Sequence, residues 1–192
     1  MPEQADDRER TLATLTSAFA ADPVERWLWP DDAQYAGRFQ EFAKVFSEGA
    51  IEAGTAWQVD DYAAVAVWMG PGVAPDPERI GLVLRTAVVT EKHEDMFSVL
   101  EQMEAGHPKY PHWYLPWLGV DAARQGNGLG GRLLAQCLEH VDTSGLPSFL
   151  ETPNPRTIPL YERHGFEVKG YAQSGSCPPV ALMLRAGQPV PA

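Results

Sequence analysis

Cysteine is scarce in this chain. Cys137 and Cys177 are the only two among 192 residues, and no CxxC spacing joins them. Two isolated thiols argue against both a zinc site and a disulfide framework. Positive charge is also short: 15 Lys and Arg stand against 26 Asp and Glu, for a formal net charge of −11. A nucleic-acid-binding surface needs the opposite sign. No apolar run is long enough to span a bilayer, and the charged opening from Met1 to Arg10 is unlike a secretory signal. A cytoplasmic protein is therefore expected, with no nucleic-acid or membrane partner, as a monomer or homodimer. An acidic surface suits solubility, and it equally suits a cationic substrate such as an amine.

Repeats and linkers are absent too, and the length fits one domain over residues 1–192 with a real core. Apolar spacing predicts a helix over Asp6–Ala21, stopped at Asp22-Pro23, and a second from Asp31 or Asp32 to Ala53. Two short strands, Thr55–Val59 and Ala63–Met69, are joined at Asp60-Asp61. Asp76-Pro77 has the pattern of an N-cap with proline in the first turn, opening a pair of helices up to Gly106. From Trp113 the pattern alternates: strand Trp113–Val120, helix Gly128–Thr143, strand Ser148–Glu151, helix Thr157–His164, strands Phe166–Tyr171 and Val180–Arg185. A loose tail is expected from Ala186 to Ala192. The fold class is α/β. Cys137 lies on the apolar stripe of its helix and is expected to be a buried core thiol.

Between the strand ending at Val120 and the next helix lies Asp121-Ala-Ala-Arg-Gln-Gly-Asn-Gly-Leu-Gly-Gly131. Four glycines let the backbone approach a ligand closely. A helix N-terminus offers unpaired amides and partial positive charge, which suit a pyrophosphate, and Arg124 adds a cation. The stretch Gly126 to Gly131 formally matches G-x-G-x-x-G, with Glu151 some twenty residues on, so a dinucleotide-binding reading must be weighed. Too few residues follow for further βαβ units, and none precede. A Walker loop is excluded because no Lys-Ser/Thr follows the glycines.

The segment Leu118-Gly-Val120 followed by Gln125-Gly-Asn-Gly128-Leu-Gly130 resembles the Q/R-x-x-G-x-G/A signature of the GNAT superfamily of N-acetyltransferases. Asn154, Tyr161 and Gly165-Phe166 are similar to that family's second motif. Further matches, at Phe149-Leu-Glu-Thr152, Pro155-Arg156 and Pro159-Leu-Tyr-Glu-Arg163, extend toward the puromycin N-acetyltransferase-like group. The resemblance implies a mixed central sheet flanked by helices. GNAT chains normally open with a strand, whereas here a helix begins almost at once, so that strand is expected to be missing or lost to a late start. It implies the reaction class, not puromycin as acceptor: transfer of an acetyl group from acetyl-coenzyme A to a primary amine of a small molecule, in a ternary complex without metal. In the family picture two strands splay after Val120. Leu118, Gly119 and Val120 then meet the pantetheine arm, Arg124, Gln125, Gly126, Asn127, Gly128, Leu129, Gly130, Gly131 and Arg132 meet the pyrophosphate, and Asn154 touches the coenzyme arm. Tyr161 matches the proton donor to the leaving thiolate. Glu151, at the end of a central strand, is the candidate base, with substrate binding or an ion pair as its other possible uses. The alternatives in other classes are an acyl-coenzyme A-binding regulatory domain without catalysis and a dinucleotide-binding protein.

Overall fold

A computed structural model describes residues 2–188, so the last four positions of the expected tail lie outside the described residues. The chain runs β1 (Glu3–Gln4), α1 (Arg8–Ala18), α2 (Pro23–Leu28), α3 (Asp32–Glu52), β2 (Ala56–Val59), β3 (Ala64–Met69), α4 (Pro77–Ala87) and α5 (His93–Gly106). It continues with β4 (Trp113–Val120), α6 (Leu129–Val141), β5 (Ser148–Thr152), α7 (Ile158–Glu162), β6 (Glu167–Ala172) and β7 (Val180–Arg185). Four of the helices start the same way. Asp7, Asp22, Asp31 and Asp76 each accept backbone amides of the first turn through the side chain, which satisfies donors that have no helical partner. At Asp22-Pro23 the sequence pattern predicts a stop. The same residues also open α2, a six-residue helix that the apolar periodicity is too short to reveal.

The strands form one seven-stranded sheet in the order β1-β2-β3-β4-β5-β7-β6. Only β4 and β5 pair in parallel; every other neighbouring pair is antiparallel. A doubly wound parallel sheet, which a dinucleotide site requires, is therefore not formed. The first strand, expected to be missing, is present. Glu3 and Gln4 pair with Gln58 and Trp57, and the Ala5 amide extends the contact to the Ala56 carbonyl at 2.9 Å. Two residues are too few for an alternating pattern to be seen in sequence.

Helices α1 to α5 cover one face, with Leu15, Phe39, Phe42, Leu84 and Met96 in the core. On the other face α6 and α7 bury Leu133, Leu134, Cys137 and Tyr161 against Trp68 and Leu115. The β2–β3 turn is clamped from both faces. Asp60, Asp61 and Tyr62 all have positive φ, at 53°, 56° and 64°, a region that costs non-glycine residues energy. Thr14 of α1 donates to the Tyr62 carbonyl at 2.7 Å, Gln58 accepts the Tyr62 amide at 2.9 Å, and Arg132 of α6 reaches Asp60 at 2.6 Å.

Strand β4 is irregular at a point that decides the site. Ala64 to Val67 pair with Val120 to Trp117, but Met69 pairs with Tyr114, so β4 holds one residue more than β3 between those positions. The surplus residue makes Tyr114 and Trp117, three apart, face the same core, while Leu115 and Leu118 face the other. Pro116 sits in this bulge, where a residue without an amide hydrogen loses no ladder bond. The bulge thus breaks the two-residue alternation of faces that a regular strand would have.

Gly119 faces α1, and a Cβ there would stand 2.9 Å from the Ala18 Cβ and 3.0 Å from the Leu15 Cδ2. Gly119→Val should force α1 outward and destabilise the protein by about 1–3 kcal/mol, as overpacked cores do. A lowered urea midpoint with unchanged slope is the expected result; an unchanged midpoint would mean that α1 is not seated there.

Candidate active site

The parallel pairing of β4 with β5 stops at Leu115↔Leu150. Beyond it β4 keeps β3 as its partner on one side, and its edge toward β5 is free. The separation thus begins at the Pro116 bulge rather than after Val120, because the bulge is where β4 changes register. Asp121 donates its amide to Ala63 on the β3 side. Backbone groups alternate along a strand, so those of Val120 and Leu118 face the gap and those of Gly119 face β3. The Val120 carbonyl accepts the Gln125 Nε2 at 3.1 Å, which leaves its amide as the free group there.

At the end of β4 the chain turns through an Asp121-capped loop tied to α1, where the Ser17 hydroxyl donates to Asp121 and accepts the Ala122 amide. Gly126 and Gly128 take φ of 78° and 75°, with open space where a Cβ would stand. Gly130 lies against Val120 and Gly131 against Leu160, both at 3.3 Å, so these two let α6 start close to β4 and α7. Gln125 and Asn127 use their side-chain amides on carbonyls of Val120, Ala18, Arg124 and Gln125 itself. They hold the loop's shape. The Arg132 amide donates to the Gly128 carbonyl at 3.0 Å and its guanidinium to Asp60. Arg132 is therefore a helix residue and not a free anion donor, contrary to the sequence expectation. The amides of Leu129, Gly130 and Gly131 precede the first helical bond and remain open, beside the exposed Arg124. Asn154 accepts the Arg156 amide through its Oδ1 at 3.1 Å, shaping the β5–α7 turn.

Tyr161 and Glu151 sit on opposite faces of the sheet. Tyr161 is buried in the α6–α7 core beside Phe166. Burial, then the charge of Asp22, raises its phenol well above the ordinary value, so the hydroxyl keeps its proton. Glu151, on β5 just past the last parallel pair, lines two cavities on the other face. The inner one, of about 140 Å³, has apolar walls that include Phe19, Trp27, Phe46 and Met96. The outer one, of about 980 Å³, lies between the 70–77 segment, the end of α5 and the 107–112 loop.

Sequence reasoning missed His107 and the acidic pair of α2. Glu151 Oε1 is 3.1 Å from His107 Nε2, His107 Nδ1 is 3.2 Å from His112 Nε2, and His112 Nδ1 is 2.9 Å from the Tyr110 carbonyl. A carbonyl can only accept, so His112 Nδ1 carries a hydrogen. The three contacts form one line from the Glu151 carboxyl to the Tyr110 carbonyl. Tyr114 adjoins it, and burial followed by the Glu151 charge holds its phenol well above the ordinary value. His-x-x-x-x-His has no motif character, so nothing in sequence marked it.

Asp22 and Glu25, 8% and 6% exposed, line the inner cavity. Burial raises the Asp22 carboxyl from 3.8 to about 6 against the pull of two backbone amides. Burial, then Asp22, lifts Glu25 well above its usual range. The signal was available: Asp-Pro-x-Glu is an N-cap, a first-turn proline and an acid at the third helical position.

Residues 14–166 match the acetyltransferase (GNAT) family. An uncharacterized N-acetyltransferase of Schizosaccharomyces pombe is 28% identical over 179 residues, which is 85% of this chain and 72% of that protein. Two solved structures share the fold. One, from Corynebacterium glutamicum, is described as a histone acetyltransferase and related acetyltransferase; it is 23% identical with a TM-score of 0.65, over 100% of this chain and 97% of that one. The other is the polyamine N-acetyltransferase of Drosophila melanogaster, which forms N-acetylagmatine; it is 16% identical with a TM-score of 0.65, over 97% and 99% of the two chains.

Raised carboxyl pKa values mean that the folded protein binds these protons more tightly than the unfolded chain. The stability they contribute is complete at low pH and is lost as pH rises from about 4 through 6 for Asp22, and higher for Glu25. The Asp22 change alone is equivalent to roughly 3 kcal/mol. Glu25→Gln should therefore be near neutral at pH 5 and should stabilise the free protein by about 1–3 kcal/mol at pH 8, measured by denaturant unfolding. An equal effect at both pH values would show that burial does not raise the Glu25 carboxyl above its unfolded value.

Proposed function

The chain belongs to the GNAT family of acetyltransferases, and on that premise we propose that it moves an acetyl group from acetyl-coenzyme A to a primary amine of a small molecule, within a ternary complex. The observation that carries this reading is the gap between β4 and β5. It joins a row of free amides at the start of α6, on one side, to an apolar cavity with carboxyl groups on the other. The residues fit the coenzyme: Leu129, Gly130 and Gly131 offer amides to a pyrophosphate with Arg124 beside them, and Leu118 and Val120 offer a strand edge to an extended arm. The bound coenzyme supplies an activated acetyl carbon. The Drosophila enzyme's formation of N-acetylagmatine supports an amine acceptor, and so does the acidic lining of the cavity. The motif likeness to the puromycin group supports the reaction class and leaves the acceptor to be found by screening.

An amine attacks only as the free base, so a proton must first leave the nitrogen. Glu151, whose carboxyl lines both cavities and is held by His107, takes that proton. The Val120 amide faces the carbonyl oxygen on which negative charge develops. Tyr161, kept protonated by its burial, gives its hydrogen to the departing sulfur.

Calorimetric titration should show saturable, micromolar-range binding of acetyl-coenzyme A and none of NADH; binding of neither, or of NADH alone, would overturn the proposal. Tyr161→Phe should lower kcat by roughly ten- to a thousandfold in a thiol-release assay across primary amines, puromycin included, with acetyl-coenzyme A affinity almost unchanged. Full turnover in this variant would remove Tyr161 from the role of acid. Gly128→Val should abolish coenzyme binding, because a β-branched residue is strained at φ 75° by about 1–2 kcal/mol and shifts the amides that follow.

A further inference from the structure

The inner cavity is almost wholly apolar, yet it contains a carboxyl group with no partner. Glu25 is 6% exposed, and its Oε2 has no hydrogen-bond partner at all. The other acids of the cavity are accounted for. Glu151 is joined to His107, and Asp22 Oδ1 accepts the amides of Val24 and Glu25 at 3.0 and 3.2 Å. No Lys or Arg lines the cavity. A buried carboxyl without a partner is costly when charged, and here it faces the space where the acceptor would enter.

We propose that Glu25 is the counter-ion for the acceptor's ammonium group, and that the acceptor is a monoamine on an apolar alkyl or aryl body. This rests on the amine-acetyltransferase reading and narrows it. Glu25 is the one carboxyl of the cavity without a hydrogen-bond partner, which sets the number of ammonium sites at one. The walls set the body. Phe19, Trp27, Leu28, Phe46, Met96 and Val99 can satisfy hydrocarbon but not a second ammonium. An apolar cavity of roughly 150 Å³ is enough to hold benzene, so a six-carbon body is a suitable size. Burial without a partner favours the neutral acid of Glu25 in the free protein; an arriving ammonium displaces that proton to solvent, and an ion pair forms in its place. Glu25 shares the cavity with Glu151 and with Pro116 and Trp117 at the start of the gap, so the nitrogen bound is the nitrogen that reacts.

The test uses hexylamine, hexan-1-ol and 1,6-diaminohexane, titrated calorimetrically at pH 7.5 into the full chain. Each is titrated alone and again with saturating desulfo-coenzyme A, which has no acetyl group to give. Hexylamine should bind, and the alcohol and the diamine should bind at least about tenfold more weakly. Hexylamine binding should release close to one proton, read from the dependence of the observed heat on the buffer's ionisation enthalpy. Glu25→Gln should weaken hexylamine about ten- to a hundredfold, as loss of a charged hydrogen bond does. It should also abolish the proton release and leave hexanol unaffected. The proposal is overturned if hexanol or the diamine equals hexylamine, if Glu25→Gln binds hexylamine as the parent does, or if hexylamine fails to bind in both states. No transfer takes place in this measurement. Amine binding with the expected selectivity but no turnover with acetyl-coenzyme A would sink the transferase reading alone. Turnover of amines that is indifferent to Glu25→Gln would sink the Glu25 assignment alone.

Discussion

A proline in the middle of a sheet cannot donate to a neighbour, and in β4 that limitation is placed at a bulge where two pairing patterns meet. Upstream of Pro116 the strand is held on both sides; downstream it is held by β3 only. The extra residue also rotates the strand by one side chain. Trp117 then turns into the α1–α5 core and the backbone of Leu118 and Val120 turns toward the gap. The glycine loop, the cavity and the two faces that carry Tyr161 and Glu151 are all arranged around this opening. A regular β4 would pair along its whole length and close it.

Around the gap the two faces differ in how they treat charge. On the α6 side the groups are backbone amides and Arg124, open to solvent and suited to anions. On the α1–α5 side carboxyls are buried in hydrocarbon. The desolvation that raises both carboxyls is met at Asp22 by two backbone amides and at Glu25 by no partner, and no Lys or Arg lines the cavity. Natural proteins seldom leave such groups unpaired, and where they do the site is a functional candidate. The Glu151–His107–His112 chain is the reverse case, since every polar atom in its line of bonds has a partner.

Much of the fold was legible in the sequence. The Asp76 cap, the β7 limits and the glycine loop before α6 follow from local patterns, and of the two caps the pattern allows for α3 the structure uses Asp31. What escaped is what local patterns cannot carry. β1 is two residues long and exists only through its pairing with β2. α2 is too short for periodicity and was hidden by its own proline. The bulge shows only in the register against β3, which is a property of two strands. In the site, Gly126 to Gly131 were marked by composition, but the use of the Arg132 amide inside α6 depends on where the helix starts. His107 meets Glu151 across 44 residues of chain, and only tertiary structure brings them together.

The short parallel pairing has a mechanical meaning. β1 to β4 with α6 form one leaf, and β5 to β7 with α7 form another. Three residue pairs carry the sheet across the join, with the core shared by α6 and α7 and the Arg185–Asp142 ion pair beside them. The leaf that carries the amides and the leaf that carries Tyr161 are thus bound at one end and open at the other, like a book held by its lower binding. A molecule lying along Leu118 and Val120 takes the place of the absent upper stitches. Filling the gap and stiffening the two leaves against each other are then one event.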